Sequence, residues 1–200
     1  MTREQDIKSA VETMRNGGVI LYPTDTIWGI GCDACNEEAV AKVFEIKRRS
    51  EAKSLVLLAD GLDMVAKYVK VIPSIAIDLV EVNDAPMTII YPGAQYLAPN
   101  AVAEDGSVGI RIPYTEEGET ASESGAAFCK ELVYRLRRPI VSTSANISGE
   151  PSPKSFEDIP AEILSAVDYT VPKAFAKLSS GKASQIIKLG LKGEVEIIRA

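Results

Sequence analysis

The sequence predicts an α/β domain with three layers, in which helices flank a twisted, mixed sheet. Short apolar runs typical of strands alternate with amphipathic helical segments along the 200-residue chain. The run over residues 54–58 is almost continuously apolar, as expected for a strand covered on both faces. With 46% hydrophobic residues the chain can bury an ordinary core, and its length fits a single domain spanning residues 1–200.

The helices are predicted from capping residues and from apolar positions that recur at the helical period. Thr2 and Gln5 form a capping box at the start of the first helix, which ends at the glycine pair 17–18. Asn36 can cap the second helix, and the basic cluster at residues 47–49 suits the negative end of its dipole. Further helical segments are predicted over residues 62–69, 74–82, 119–136 and 156–167.

The strands are predicted from short apolar runs bounded by turn-forming residues. They cover residues 19–22, 54–58, 87–91, 108–112, 139–143, 184–189 and 195–199. Because helices separate most of these runs, the pattern favours a layered α/β arrangement.

The composition excludes several kinds of chemistry. The chain has no histidine, which rules out Ser-His-Asp and Cys-His catalysis. Cys32 and Cys35 form a C-x-x-C pair, which fits two small buried residues better than a zinc or redox pair, because no second pair or histidine could complete a metal site. No signal peptide or membrane-spanning run is apparent, and the cysteine usage favours the reducing cytoplasm.

The net charge of −6 is unevenly distributed along the chain. Residues 42–53 carry five basic and two acidic side chains, whereas residues 169–193 carry five lysines and no acid. An acidic chain with local basic patches does not resemble a general nucleic-acid-binding protein, but it can attract a small phosphorylated ligand.

Two hydroxyl-rich turns carry the strongest functional signal. Residues 138–153 (RPIVSTSANISGEPSP) and residues 22–31 (YPTDTIWGIG) each place hydroxyl and glycine residues directly after a short strand. Ligands of open α/β sheets often bind where strands end, so we interpret the two turns as parts of one pocket, although Ser, Thr and Asn also favour simple capped loops. Neither turn has the pattern of a P-loop or of a Rossmann dinucleotide-binding motif.

Two sets of cations each admit two interpretations. The cluster at residues 47–53 is either a phosphate clamp or a solvated helix end, and helical geometry directs Lys47 and Arg48 to different faces. Arg111 interrupts an apolar strand, where a charge is costly unless it meets an anion. It therefore either binds an anionic ligand or forms a salt bridge with one of the nearby acids.

Together these motifs resemble the YrdC/Sua5 family of L-threonylcarbamoyladenylate synthases over about residues 7–199. The resemblance rests on stretches in the family's order and spacing, namely YPTDTIWGIGCDA, IKRR followed by KSL, PMTII, VGIRIP, STSANISGEPSP, SGKASQII and EIIR. It implies a YrdC-like twisted open sheet with a concave basic face. It also implies a nucleotidyltransferase that makes threonylcarbamoyl-AMP and pyrophosphate from L-threonine, bicarbonate and ATP, the ATP carrying Mg²⁺.

The resemblance further implies partners and site residues. A downstream threonylcarbamoyl transferase would modify adenosine 37 of tRNAs that read ANN codons, so any contact with tRNA would be indirect. The L-threonine contacts fall, by motif position, on Thr26, Lys53, Arg111, Ser142 and Ser184. The nucleotide contacts fall on Lys47, Arg49, Thr88, Ser144, Asn146, Ser152 and Arg199, with Lys47 and Arg49 as the catalytic cations. No residue is implied as a ligand of a protein-bound metal.

Other functions fit the sequence less well. A non-catalytic module of the same fold that binds double-stranded RNA or tRNA is the main alternative, although the net charge weighs against it. A carbamoyl-adenylate enzyme of the hydrogenase-maturation type would need a longer chain with more cysteines. A regulatory module would be expected to lack the Lys/Arg and Ser/Asn motifs.

Overall fold

The computed structural model describes residues 2–49, 55–115, 120, 124–175 and 180–200. Its α-helices are α1 (Arg3–Arg15), α2 (Glu37–Ile46), α3 (Leu62–Tyr68), α4 (Ser74–Val82), α5 (Gly125–Leu136) and α6 (Ala161–Ala166). Its strands are β1 (Ile20–Tyr22), β2 (Gly29–Gly31), β3 (Val56–Leu58), β4 (Met87–Tyr91), β5 (Val108–Arg111), β6 (Ile140–Ser144), β7 (Tyr169–Thr170), β8 (Gln185–Leu189) and β9 (Val195–Arg199). Short 3-10 helices lie at Pro99–Ala101, Phe156–Asp158 and Lys173–Phe175.

The strands of the described residues form a nine-stranded sheet in the order β7-β1-β2-β6-β3-β5-β4-β8-β9. The pairs β3–β5 and β4–β8 are parallel, whereas β6 is antiparallel to both β2 and β3. The predicted mixed sheet is therefore confirmed. This order places β2, β6, β3 and β5 side by side, so that motifs far apart in the sequence meet at the centre of the sheet.

Helices cover both faces of the sheet, as the side chains of β3 show. Leu57 belongs to the core cluster that contains Val40 of α2. Its neighbour Leu58 belongs to the cluster that contains Ile7 of α1 and Phe128 of α5. Because successive strand residues point to opposite faces, the two clusters lie on opposite sides of the sheet, and the predicted three-layer arrangement is confirmed.

The predicted starts of the first two helices are confirmed by their capping hydrogen bonds. Thr2 Oγ1 accepts the backbone N–H of Gln5 at 3.3 Å, and Gln5 Oε1 accepts the backbone N–H of Thr2 at 2.7 Å. Asn36 Oδ1 accepts the backbone N–H of Ala39 at 3.1 Å, which satisfies one of the free donors at the start of α2.

Two of the predicted helices differ in extent from the observed ones. The segment predicted over residues 119–136 contains α5, which begins at Gly125 after its cap Ser124; parts of residues 116–123 lie outside the described residues. The helix predicted over residues 156–167 is wrong as a single element. It is split into a 3-10 turn and α6, because Pro160 stands at the start of α6 and cannot continue a preceding helix.

The sequence interpretation missed strands β2 and β7. Glycine has low strand propensity, so Gly29-Ile30-Gly31 carries little local strand signal. The strand forms because its backbone lies very close to β6: a Cβ atom at Gly31 would lie 2.0 Å from the carbonyl oxygen of Val141. β7 has only two residues, too few for any periodicity to be visible.

Candidate functional site

A pocket of about 270 Å³ lies at the junction of β2, β3, β5, β6, β8 and β9. Its lining includes most of the residues implied by the resemblance, namely Thr26, Arg49, Arg111, Ser142, Ser144, Ser152, Ser184 and Arg199. It also includes residues that the sequence interpretation did not select, namely Thr24, Ile27, Gly29, Val56, Thr143, Ala183 and Ile186. The two hydroxyl-rich turns therefore meet in one pocket.

The turn before β2 is organised by the hydroxyl of Thr24. Thr24 Oγ1 accepts the backbone N–H groups of Thr26 and Ile27 at 3.0 and 3.2 Å. It also lies 2.8 Å from Thr26 Oγ1. A threonine that satisfies backbone donors two and three residues ahead stabilises a tight turn. This local structure holds the side chain of Thr26 at the pocket wall.

Glycine at position 29 allows β2 to approach the serine-rich strand β6. Gly29 pairs with Ser144, and a Cβ atom at Gly29 would lie 3.3 Å from the carbonyl oxygen of Thr143 and 3.7 Å from Oγ of Ser142. A larger side chain would therefore crowd the hydroxyls that line the pocket. The Gly-Ile-Gly motif serves close strand packing in this fold, which explains why it lacks the third glycine of a dinucleotide-binding motif.

Lys47 lies beneath the turn that follows β6. It is 2% exposed, and its Nζ donates hydrogen bonds to the carbonyl oxygen of Ser144, to the carbonyl oxygen of Asn146 at 2.7 Å and to Asn146 Oδ1 at 3.2 Å. Burial, with a smaller effect from the charge of Arg49, lowers the pKa of Lys47 to about 8. Asn146 extends the network through its amide, which donates to the carbonyl of Glu150. In this structure Lys47 and Asn146 support the turn that presents Ser144.

The side chains of the basic cluster point in different directions, as predicted, but the cause is the turn that follows α2 rather than helical geometry. Lys47 points inward, Arg49 lines the pocket, and Arg48 Nη2 forms a 2.5 Å ion pair with Glu162 of α6 at the surface. Arg48 has a backbone φ of 50°, in the left-handed region that is unusual for a residue other than glycine. Burial lowers the pKa of Arg49 from its usual range. Arg48 is thus solvated, whereas Arg49 faces the pocket, and phosphate binding by Arg49 stays a prediction.

Arg111 on β5 forms a salt bridge, and it also lies where an anionic ligand could reach it. It is 4% exposed and lines the pocket, and its Nη1 forms an ion pair with Asp25 Oδ1. The acid is 86 positions upstream, in the turn before β2, rather than one of the acids near Arg111 in the sequence. Sequence reasoning missed Asp25, because its partner is 86 positions away and no local pattern shows that the two residues meet.

Thr88 on β4, Ser184 just before β8 and Arg199 on β9 form a connected group. Thr88 is fully buried, and its Oγ1 lies 2.8 Å from Ser184 Oγ. Arg199 donates from Nε and Nη2 to the carbonyl oxygen of Ser184 at 2.8 and 2.6 Å. Ser184 and Arg199 line the pocket, whereas Thr88 lies behind Ser184. The structure thus places Thr88 where it orients a pocket hydroxyl.

The chemistry of the lining favours an anionic ligand. Among the described lining residues, Arg49, Arg111 and Arg199 are cationic and none is a carboxylate. Guanidinium groups bind carboxylates and phosphates through two parallel N–H groups, and serine or threonine hydroxyls add directional hydrogen bonds. The pocket can therefore hold a polyanion together with a second, smaller anion.

Several other predictions concern residues away from this lining. Lys53 lies outside the described residues, so its predicted contact with threonine stays a prediction. Cys32, Cys35 and Cys129 are free thiols, and burial raises the pKa of each. In the described part of the chain, no group of three or more His, Cys, Asp or Glu residues could hold a metal ion. None of the described helices is both long enough and apolar enough to cross a membrane.

Comparison with known proteins identifies the family. The Sua5/YciO/YrdC family model, described as "Telomere recombination", matches residues 12–200. A protein of Xanthomonas campestris pv. campestris named threonylcarbamoyl-AMP synthase is 33% identical over 171 residues, which cover 84% of this chain and 86% of that protein. A protein of the same name from Xanthomonas euvesicatoria pv. vesicatoria is 33% identical over 174 residues, covering 86% of this chain and 87% of that protein.

Solved structures agree with this relationship. P. abyssi Sua5 complexed with L-threonine superposes with a TM-score of 0.78 at 27% identity, covering 94% of this chain and 52% of that one. This chain thus spans about half the length of that Sua5. E. coli YciO superposes with a TM-score of 0.75 at 22% identity, covering 100% of this chain and 90% of that one, which supports the fold. The protein belongs to the Sua5/YciO/YrdC family.

Proposed function

We propose that this protein is an L-threonylcarbamoyladenylate synthase, which joins L-threonine, bicarbonate and ATP into threonylcarbamoyl-AMP and releases pyrophosphate. The pocket is the observation that supports this most directly, because it gathers three arginines and several hydroxyls from distant parts of the chain. The relatives named threonylcarbamoyl-AMP synthase, and the related Sua5 complexed with L-threonine, support the same activity.

The proposed reaction depends on positioned charges more than on a strong base. The amine of threonine attacks the carbon of bicarbonate, and loss of water gives a carbamate. A carbamate oxygen then attacks the α-phosphorus of ATP, the bond from that phosphorus to the bridging oxygen breaks, and pyrophosphate leaves. Most catalysis of phosphoryl-group transfer comes from two effects. The enzyme aligns the nucleophile with the phosphorus, and its cations stabilise the charge that develops on the leaving group. A chain without histidine can supply both.

On the threonine side, Arg111 would bind the carboxylate. Thr26, Ser142 and Ser184 would hydrogen-bond the hydroxyl and amine groups of the amino acid, and Lys53 is a further predicted contact. A site that pairs with the substrate hydroxyl should reject an isostere that lacks it, because its own polar groups would be left unpaired.

On the nucleotide side, Arg49 and Arg199 would bind phosphate oxygens. Ser144 and Ser152 would contact the nucleotide from the turn after β6. Lys47 and Asn146 would support that turn from beneath, and Thr88 would act through Ser184. The resemblance implies a direct contact between Lys47 and the nucleotide, whereas its buried position favours support of Ser144.

Magnesium would enter as part of the MgATP substrate. Phosphate oxygens and water are its usual ligands in such complexes. We further propose that the product passes to a threonylcarbamoyl transferase that modifies adenosine 37 of ANN-reading tRNAs, in the cytoplasm. Contact between this protein and tRNA would then be indirect.

The decisive experiment measures pyrophosphate release by the purified protein with MgATP, L-threonine and bicarbonate. Release should require all three reactants, and valine should support less than about 1% of the rate with threonine. A protein that leaves ATP intact and does not bind it would contradict the proposal. If that same protein bound tRNA, the non-catalytic RNA-binding function would be favoured instead.

A further inference from the structure

Asp25 differs from an ordinary turn aspartate in the partners of its carboxylate. Aspartate in a turn commonly accepts backbone N–H groups two or three residues ahead. In this turn Thr24 Oγ1 accepts those donors, from Thr26 and Ile27. Asp25 Oδ1 pairs with Arg111 Nη1, while Oδ2 is buried and has no hydrogen-bond partner in the described part of the chain. Among the described residues, the carboxylate of Asp25 therefore accepts none of the backbone hydrogen bonds that stabilise the turn.

The main chain holds Asp25 firmly in place. The backbone N–H of Ser180 donates to the carbonyl of Asp25 at 2.8 Å, and that of Gly181 donates to the carbonyl of Thr26 at 2.8 Å. The first turn of α5 is equally close, since a Cβ atom at Gly125 would lie 2.5 Å from the carbonyl carbon and oxygen of Thr24. A residue anchored on both sides presents its carboxylate to Arg111 at a constant position.

Burying a carboxylate with one unpaired oxygen destabilises a protein, so such groups call for an explanation in function. Arg111 is 4% exposed and lines the pocket, whereas Asp25 is 8% exposed and stands behind it. With Nη1 held by Asp25, the rotation of the guanidinium group is restricted, and its other N–H groups are oriented relative to the pocket.

We propose that Asp25 is a positioning residue for Arg111, which fixes the guanidinium so that it binds the carboxylate of the amino-acid substrate in one orientation. This inference rests on the proposed function. It makes the ion pair a link between the turn before β2 and strand β5, two walls of the same pocket. Loss of Asp25 should therefore affect binding of the amino acid and leave binding of the nucleotide nearly unchanged.

The test compares Asp25→Asn with Asp33→Asn by steady-state pyrophosphate release. Asp33 is a matched control, because it is also buried and ion-paired to an arginine, Arg138 at 2.8 Å, but lies outside the pocket lining. Asp25→Asn should raise KM for threonine by about 10-fold or more and change KM for ATP by less than about 2-fold. Asp33→Asn should change neither KM. Equal increases in both KM values for Asp25→Asn, or no increase for threonine, would overturn the proposal.

A double-mutant cycle then separates positioning from a general structural effect. If Asp25 acts through Arg111, adding Asp25→Asn to Arg111→Gln should raise KM for threonine by less than about 2-fold. An additive effect in that background would overturn the proposal. If Asp25→Asn does not fold, Asp25→Glu replaces it in the test, because it keeps the charge and displaces the carboxylate by one methylene. An unchanged KM for threonine in Asp25→Glu would also overturn the proposal. If the wild-type protein releases no pyrophosphate, both the proposed function and this inference are wrong. If the wild-type protein is active and Asp25→Asn leaves KM for threonine unchanged, only this inference is wrong.

Discussion

Two cations are buried beside the candidate pocket, and the protein stabilises them in different ways. Among the described residues, Lys47 Nζ donates hydrogen bonds to neutral acceptors, namely two backbone carbonyls and one amide oxygen. Arg111 is paired with the carboxylate of Asp25. The pKa of Lys47 is lowered to about 8, mainly because burial removes the ammonium group from water and to a lesser extent because Arg49 carries a like charge.

The difference indicates different tasks for the two residues. Carbonyl dipoles can hold an ammonium group as a cross-link between backbone segments, and a lysine so placed can lose its proton near neutral pH. An arginine keeps its charge throughout the neutral pH range. Its guanidinium group has several N–H donors, so it can bind a second anion while one carboxylate is already bound. Lys47 therefore resembles a support for the turn after β6, whereas Arg111 is suited to direct recognition. Four experiments test whether Lys47 and Arg111 differ in this way.

Replacement of Lys47 by methionine should have the largest effect. The change keeps the length of the side chain but leaves the carbonyls of Ser144 and Asn146 and the Asn146 Oδ1 without this donor. We expect the free energy of unfolding to fall by about 2–4 kcal/mol, because buried polar atoms lose their partners. Pyrophosphate release should fall by more than about 100-fold, because Ser144 is no longer held in place.

Lys42→Met is the matched control for this experiment. Lys42 is exposed on the same helix and donates to the carbonyl of Gly17 at 3.1 Å. Denaturant unfolding and the pyrophosphate assay should show little change for it. If Lys47→Met were as stable and active as Lys42→Met, the supporting role of Lys47 would be wrong.

Replacement of Arg111 by lysine should have the next largest effect. Lysine keeps a positive charge near Asp25 but lacks the two-pronged geometry that binds both oxygens of a carboxylate. We expect KM for threonine to rise by about 10- to 100-fold, with KM for ATP changed by less than about 2-fold. Parallel increases in the two constants, measured by varying each substrate in turn, would show that Arg111 does not discriminate between them.

The pH dependence of the reaction should report on Lys47. The ammonium is charged below about pH 8 and neutral above it, so raising the pH removes one of the donors that hold the turn. Activity should then fall with an apparent pKa near 8 and approach roughly a tenfold loss per pH unit, as expected for a single ionisation. Deprotonation of the amine of threonine makes it a better nucleophile and so raises the activity as the pH rises. A fall in activity over this range is therefore caused by an ionisation of the protein.

Lys47→Arg supplies the control for this profile. Arginine stays protonated far above pH 8, so any residual activity of the variant should lose the falling limb. An unchanged limb in this variant would assign the ionisation to another group.

Replacement of Arg48 by alanine should have the smallest effect. Its side chain is 69% exposed and pairs with Glu162 at the surface, where ion pairs contribute little. We expect the free energy of unfolding to change by less than about 1 kcal/mol and both KM values to stay the same. A large loss of ATP binding would mean that Arg48, rather than Arg49 alone, serves the phosphates.

The sequence was informative wherever the relevant signal was local. The capping hydrogen bonds of Thr2 and Asn36 follow from short-range patterns, and the structure confirms them. Strand β2 could not be found in this way, because its glycines are explained by the proximity of Val141, a residue more than a hundred positions away. The break before α6 also has a local signal, because Pro160 cannot continue a preceding helix.

Residue types and their order are enough to identify the motifs, because hydroxyls after a strand, a capped helix and a cation within an apolar run each have a physical meaning in isolation. They are not enough to assign partners. Three contacts depend on which strands are neighbours in the sheet: Arg111 with Asp25, Lys47 with the carbonyl of Ser144, and Thr88 with Ser184. Strand order is set by packing of the whole core, and a buried charge takes whichever acceptor that packing brings within reach.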